Sequence, residues 1–215
     1  MPGKALSLNS KDKRFSVKFG DGSALYREMV SLEIYASFKT YLKGLSVKSR
    51  VYTLWPTNLC IEKQAEMRIK YTGDDYKKVG IYADTGSKGY YHFKGNKYNP
   101  KTKEFSARIR KLGSFFLIRD DSSPGIRFRQ NRKRIRKKSI IKIYISDSGT
   151  GVDLSTVVLK IDSKPVVWDY NQDKGFIEIL RHNKIWGRGK HLITIQMKDN
   201  AGNKSAVKKY IYYVR

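Results

Sequence analysis

Apolar residues in this chain recur at every second position, in short runs parted by turn residues. Phe15, Val17 and Phe19 share one face, as do Val30, Leu32 and Ile34. Met67, Ile69 and Tyr71 repeat the pattern, and so do Val79 and Ile81. Farther on come Ile141, Ile143 and Ile145, then Val157, Leu159 and Ile161. Phe176, Ile177 and Ile179 follow less regularly; Leu192 stands apart from Ile193, Ile195 and Met197, and Tyr210 precedes Tyr212 and Val214. A period of two places successive side chains on opposite faces of a strand, so the pattern predicts half-buried β-strands. A helical face competes only between Ser23 and Tyr41, where Leu25, Met29, Leu32 and Tyr35 could align. The clean Val30–Ile34 alternation after the turn Gly20-Asp-Gly22 favours a strand there.

The turns are acidic and carry glycine. Asp147-Ser-Gly-Thr-Gly-Val-Asp153 and Asp199-Asn-Ala-Gly-Asn203 stand between strands. Asp and Asn side chains bond nearby backbone, and Gly supplies positive φ, which is how small antiparallel sandwiches reverse direction. Asp120-Asp-Ser-Ser-Pro-Gly125 follows the apolar run Phe115-Phe-Leu-Ile118 and stops any regular element. The expectation is therefore an all-β chain of two consecutive antiparallel β-sandwiches, residues 1–121 and 122–215. The second is immunoglobulin-like in size and strand number but has no cysteine pair, so Trp168 and Trp186 are its candidate core fillers.

Charge bears on partners. The 215 residues carry a net charge of +26, with 40% hydrophobic and 13% aromatic residues. That apolar content excludes global disorder. Residues to Asp121 hold 24 cations and 12 acids, and the rest hold 21 and 7, so the halves carry +12 and +14. A neutral domain with a basic tail is excluded. Even basicity attracts polyanions, or reflects a lysine-rich background of solvated surface that discourages edge-to-edge aggregation. Nothing in the chain approaches 18 consecutive apolar residues, so no helical membrane span is expected. Met1-Pro-Gly-Lys-Ala-Leu-Ser-Leu lacks the apolar core of a signal peptide. The expectation is a cytoplasmic chain or a piece of a longer exported one.

The strongest electrostatic feature is Arg127 to Lys138, in which Arg127, Arg129, Arg132, Lys133, Arg134, Arg136, Lys137 and Lys138 stand without an acid among them. It reads as a polyanion or nucleic-acid patch, or as a solvated strand edge with Phe128 and Ile135 turned inward. No zinc-finger, helix-turn-helix or RNP-like pattern accompanies it. Tyr90, Tyr91 and Phe93 flank His92; aromatic rings stack on sugars and bases, though one face of a filled strand gives the same sequence. Asp147, Asp153 and Asp199 offer a weak calcium possibility if they converge, and turn hydrogen bonding otherwise. His191, after Gly187-Arg-Gly189, is expected to pack or cap a turn, and His182 has no evident partner. Cys60, in Asn58-Leu-Cys-Ile61, is expected to be a buried structural residue. No catalytic constellation and no cofactor are expected.

These turns carry a resemblance. Lys138 to Arg215 resembles the bacterial immunoglobulin-like repeat whose turns read Asp-x-x-Ser-Gly-Ile-Asp and Asp-x-Ala-Gly-Asn. Asp199–Asn203 fits it fully and Gly151-Val152-Asp153 is the closest part of the other turn; Lys160-Ile-Asp-Ser-Lys164, Trp168-Asp-Tyr170 and Gly189-Lys-His191 match its layout. The first half is similar to the sandwich of zonula occludens proteins, netrin receptors and ankyrins, through Phe19-Gly-Asp-Gly-Ser-Ala-Leu-Tyr26, Val79-Gly-Ile-Tyr82 and Leu112–Ile118. The pairing resembles the region that follows the catalytic domain in lysostaphin-like envelope metallopeptidases of bacteria. His92, His182 and His191 have neither His-x-His nor His-x-x-x-Asp spacing, so the resemblance implies the non-catalytic part of such a protein. It implies a secreted accessory module of the cell envelope, periplasmic or extracellular, with an upstream catalytic domain as partner and anionic polysaccharide or peptidoglycan as ligand. The alternative is a stand-alone basic cytoplasmic nucleic-acid-binding protein.

Overall fold

Strands in this chain form where β-branched and aromatic residues alternate with polar ones, because such side chains pack on a pleated, half-buried surface. The computed structural model describes residues 6–21, 23, 30–40, 42–87, 89–128, 134–135, 140–179 and 187–215. It divides into two units, Met1–Asp121 and Ser122–Arg215. Among the described residues, apart from a single 3-10 turn at Tyr76–Lys78, the regular structure is β throughout.

The strands of the first unit are β1 (Leu6–Asn9), β2 (Phe15–Phe19), β3 (Ser31–Tyr35), β4 (Leu45–Val47), β5 (Val51–Trp55), β6 (Cys60–Lys70), β7 (Val79–Asp84), β8 (Tyr91–Gly95), β9 (Lys97–Asn99), β10 (Glu104–Lys111) and β11 (Ser114–Asp120). One sheet runs β1-β2-β6-β10-β9, the other β3-β5-β11-β7-β8 with β4 on β11. Register decides what meets in the core. Ile69 stands opposite Phe15 on one side and Phe105 on the other, and all three are buried. From the second sheet Tyr52, Leu54, Ile81, Phe115 and Leu117 close the same core, with Tyr52 stacked on Phe15 at 5.0 Å. Each such side chain contributes roughly 1.5–3 kcal/mol by leaving water.

The outer face of this second sheet is apolar too. Tyr82, Phe116, Ile118 and Leu45 form a smaller buried cluster there, with Leu42, Val47, Tyr91 and Phe93 packed against it. Phe38 meets Phe116 edge-on at 5.0 Å, and Tyr91 does so at 5.4 Å. Edge-to-face contact aligns the positive rim of one ring with the negative face of the next.

The strands of the second unit are β12 (Gly125–Phe128), β13 (Arg134–Ile135), β14 (Ile141–Ser146), β15 (Val152–Ile161), β16 (Lys164–Pro165), β17 (Trp168–Asn171), β18 (Phe176–Ile179), β19 (Gly189–Asp199) and β20 (Lys208–Val214). They form the sheets β12-β14-β18-β17 and β13-β20-β19-β15-β16. The core is rich in isoleucine: Ile141, Ile143, Ile145, Ile177 and Ile179 face Leu159, Ile161, Ile193, Ile195 and Met197. Trp168 packs against it half-buried, whereas Trp186 lies outside the described residues. β12 and β13 are close in sequence yet belong to different sheets, and β13 pairs parallel with β20.

One expectation is corrected. Cys60 is exposed, because the alternation of β6 sends Ile61 into the core and leaves Cys60 on the opposite face. Its apolar neighbours Leu59 and Ile61 both turn to the core, and Cys60 between them takes the opposite face.

Candidate functional site: a cation–aromatic face

Of the eight cations between Arg127 and Lys138, only Arg127 and Arg134 are described; Arg129, Arg132, Lys133, Arg136, Lys137 and Lys138 lie outside the described residues. Arg127 is exposed on β12, an edge strand of one sheet, and Arg134 is exposed on β13, an edge strand of the other. The basic run therefore starts on one sheet and reaches the opposite one. Cations on unpaired edges also oppose strand addition by another chain. Phe128 turns inward, half-buried and stacked on Tyr210 at 4.9 Å.

Pairing of β12 with β14, and of β14 with β18, aligns Arg127 with Tyr144 and Tyr144 with Phe176 on the outward face. The Arg127 guanidinium lies 5.5 Å from the Tyr144 ring centroid, and Lys142 Nζ lies 4.5 Å from that of Phe176. The two rings are 5.6 Å apart. Cations at such distances are held by the negative ring face while their outer N–H groups stay available. Neither Arg127 nor Lys142 forms an ion pair with a carboxylate among the described residues. Glu178 does stand opposite Lys142 in the ladder, so this face is mixed at one position.

Some cations of the first unit are paired with carboxylates instead. Arg119 bonds Asp75 at 2.9 Å and Asp121 at 2.8 Å, Lys78 bonds Asp121 at 2.9 Å, and Arg68 reaches Glu66 at 3.0 Å. Asp75 is held below the usual carboxylate range: the Tyr71 hydroxyl bonds it, and Lys48 and Arg119 lie close, which together outweigh its desolvation.

Tyr90, Tyr91 and Phe93 do not share an exposed face. Tyr90 is 71% exposed, whereas Tyr91 and Phe93 turn onto the outer cluster, against Phe116 and Tyr82. His92 and Lys94 point the other way, into an open cleft of about 340 Å3 shared with Asp84 and Lys111.

The acidic turns are closed hydrogen-bonded structures. Asp147 Oδ2 accepts from the backbone of Gly149 at 2.9 Å and Gly151 at 2.8 Å. Asp199 Oδ1 accepts from the Asn203 backbone at 2.7 Å, and Asn203 Nδ2 donates to Asp199 Oδ2 at 2.8 Å. Asn200 Nδ2 donates to the carbonyls of Thr150 and Gly151, tying one turn to the other. Oxygens of Asp147 and Asp199 lie within 4.8 Å of each other, but Asp153 does not join them and instead accepts from Ser155. The three carboxylates considered for calcium therefore do not converge.

His191 does cap a turn. Its Nδ1 lies 2.6 Å from Asp162 Oδ2, and its Nε2 lies 2.9 Å from the Gly187 carbonyl. His182 lies outside the described residues. What the sequence did not single out is Tyr144 and Lys142, and it read Phe176 only as part of an apolar strand. Tyr144 and Lys142 alternate with the inward isoleucines of β14, and Phe176 is buried on their side of the sheet.

No protein-family model matches the chain, and no curated protein matches it. Among solved structures it is similar to the fibronectin(III)-like modules of CbhA from Clostridium thermocellum, at 12% identity, 87% coverage of this chain, 94% of that one and a TM-score of 0.33.

Proposed function

We propose that the chain is a non-catalytic pair of β-sandwich binding modules that engages an anionic polymer through the second unit. The observation that carries this reading is the outward face on which Arg127 and Lys142 rest over aromatic rings without an ion-pair partner among the described residues, next to the basic run that begins at Arg127. Unpaired cations set on a rigid sheet attract polyanions and release the counterions of the polymer. The turn motifs Asp147–Asp153 and Asp199–Asn203 support placing the chain in an exported bacterial envelope protein, where it would position a catalytic domain or hold anionic polysaccharide.

The test neutralises Arg132, Lys133, Arg134 and Arg136 together, and Arg127 with Lys142 separately. Both variants are expected to bind an anionic polysaccharide such as dextran sulfate more weakly and with a shallower salt dependence. Unchanged affinity and slope in both would remove the reading. The same charge supports nucleic-acid binding as a second reading. Duplex DNA bound at ~0.15 M salt more tightly than the ~10⁻⁴–10⁻⁶ M of nonspecific association would make that reading the better one.

A further inference from the structure

Two large rings stand in water on the first unit and are nevertheless fixed. Tyr35 closes β3 and Trp55 closes β5, and they are 47% and 40% exposed. The β3–β5 register pairs Ser31 with Trp55, Glu33 with Thr53 and Tyr35 with Val51. Leu32, Ile34, Tyr52 and Leu54 alternate with these and go to the core. Trp55, Glu33 and Tyr35 thus share the outward face.

Glu33 Oε2 accepts a hydrogen bond from Trp55 Nε1 at 2.9 Å and another from the Tyr35 hydroxyl. One carboxylate oxygen holds both rings, and Oε1 takes no hydrogen bond from a described residue. No other ring among the described residues stacks on either. Alongside, an open groove of about 570 Å3 follows edge strand β3, with Leu8 and Leu32 as apolar lining and Asn9, Lys11, Glu33 and Tyr35 as polar lining.

We propose that this face is a carbohydrate-binding site, in which an uncharged sugar ring stacks on Trp55 and Tyr35 and gives a hydroxyl hydrogen bond to Glu33. A pyranose has a C–H face that suits the negative face of an aromatic ring, and a rim of hydroxyls that suits a carboxylate. Rings already fixed by Glu33 lose little freedom on binding, which lowers the cost of association. The Glu33 charge repels phosphate-bearing or polyanionic ligands. A neutral glycan chain is the ligand whose length and polarity also suit the groove beside β3. This site lies in the first unit and takes a neutral ligand, so it stands or falls apart from the polyanion reading.

The experiment titrates the isotope-labelled full chain with cellohexaose, xylohexaose and chitohexaose, following backbone amides of β3 and β5 and the Trp55 indole N–H, assigned through Trp55→Phe. The expected result is a saturable shift with at least one oligosaccharide, insensitive to salt. Trp55→Ala and Tyr35→Ala should each lower affinity at least about tenfold. Tyr35→Ala, on an edge strand, serves if Trp55→Ala disturbs the fold. No saturable shift with any of the three at about 10 mM, or undiminished affinity in the ring variants, would overturn the proposal. So would binding that vanishes with salt. Protection of β3 amides by an extended peptide, with the indole unmoved by sugars, would assign the edge to a peptide instead.

Discussion

His191 Nδ1 sits 2.6 Å from a carboxylate oxygen of Asp162, while its Nε2 faces the Gly187 carbonyl. Both neighbours are acceptors, so the protonated imidazole, which donates from both ring nitrogens, satisfies both contacts. Burial opposes that charge, but the bonds to Asp162 and Gly187 outweigh it, and the pKa of His191 is raised. Asp162 is desolvated as well, yet the Leu192 N–H and His191 hold its pKa below the usual value. The contact ties the Asp162–Ser163 hairpin turn to the start of β19, and Lys164 and Tyr212 are the other titratable groups nearby.

A raised histidine pKa contributes stability that is whole below the unfolded value near 6.5 and is lost as pH rises through the folded value. The lowered Asp162 pKa acts oppositely, contributing above its unfolded value near 3.8 and failing only in acid. His191→Gln should therefore destabilise the second unit by about 1 kcal/mol near pH 5 to 6, since Asp162 is partly exposed, and by less near pH 9. Denaturant midpoints of both proteins across this range check it. A difference that does not shrink with rising pH would contradict the assignment.

Asp199→Ala should cost about 1–3 kcal/mol, because it leaves the buried Asn203 N–H and side-chain amide without their acceptor. Asp199→Asn, which keeps one acceptor oxygen, should lose less. Urea unfolding of the two variants orders them.

Gly80→Ala tests the outer aromatic cluster. A Cβ there would lie 2.6 Å from Phe93 Cε2 and 3.1 Å from the Gly95 carbonyl. The added methyl should cost about 1–3 kcal/mol by displacing Phe93 from Tyr82. Adding Phe93→Leu should recover part of that loss, visible as a rise in melting temperature over the single variant.

Much of the fold is legible in the sequence because alternation is a property of each strand alone. Phe15, Val17 and Phe19, or Ile141, Ile143 and Ile145, name their own inward faces. The Asp199–Asn203 turn is legible for the same reason: the bonds that join Asp199 to Asn203 are local. Register is not local. Glu33 meets Trp55 across 22 residues and His191 meets Asp162 across 29, and both depend on which residues the ladders align. The aromatic run at Tyr90–Phe93 shows the same limit. It reads as one surface until β7 and β11 supply Tyr82 and Phe116 to receive two of its rings. Cys60 misleads because the pleat turns it away from its apolar neighbours in sequence.

The most direct measurement of the central claim is the affinity of the chain for dextran sulfate and for a duplex of similar charge, each as a function of salt. The account predicts saturable polysaccharide binding that persists at ~0.15 M salt, with log affinity falling linearly as log salt rises and the slope shallower once Arg127 and Lys142 are neutralised. Polysaccharide binding no tighter than the ~10⁻⁴–10⁻⁶ M of nonspecific association, with a slope indifferent to those residues, would contradict it.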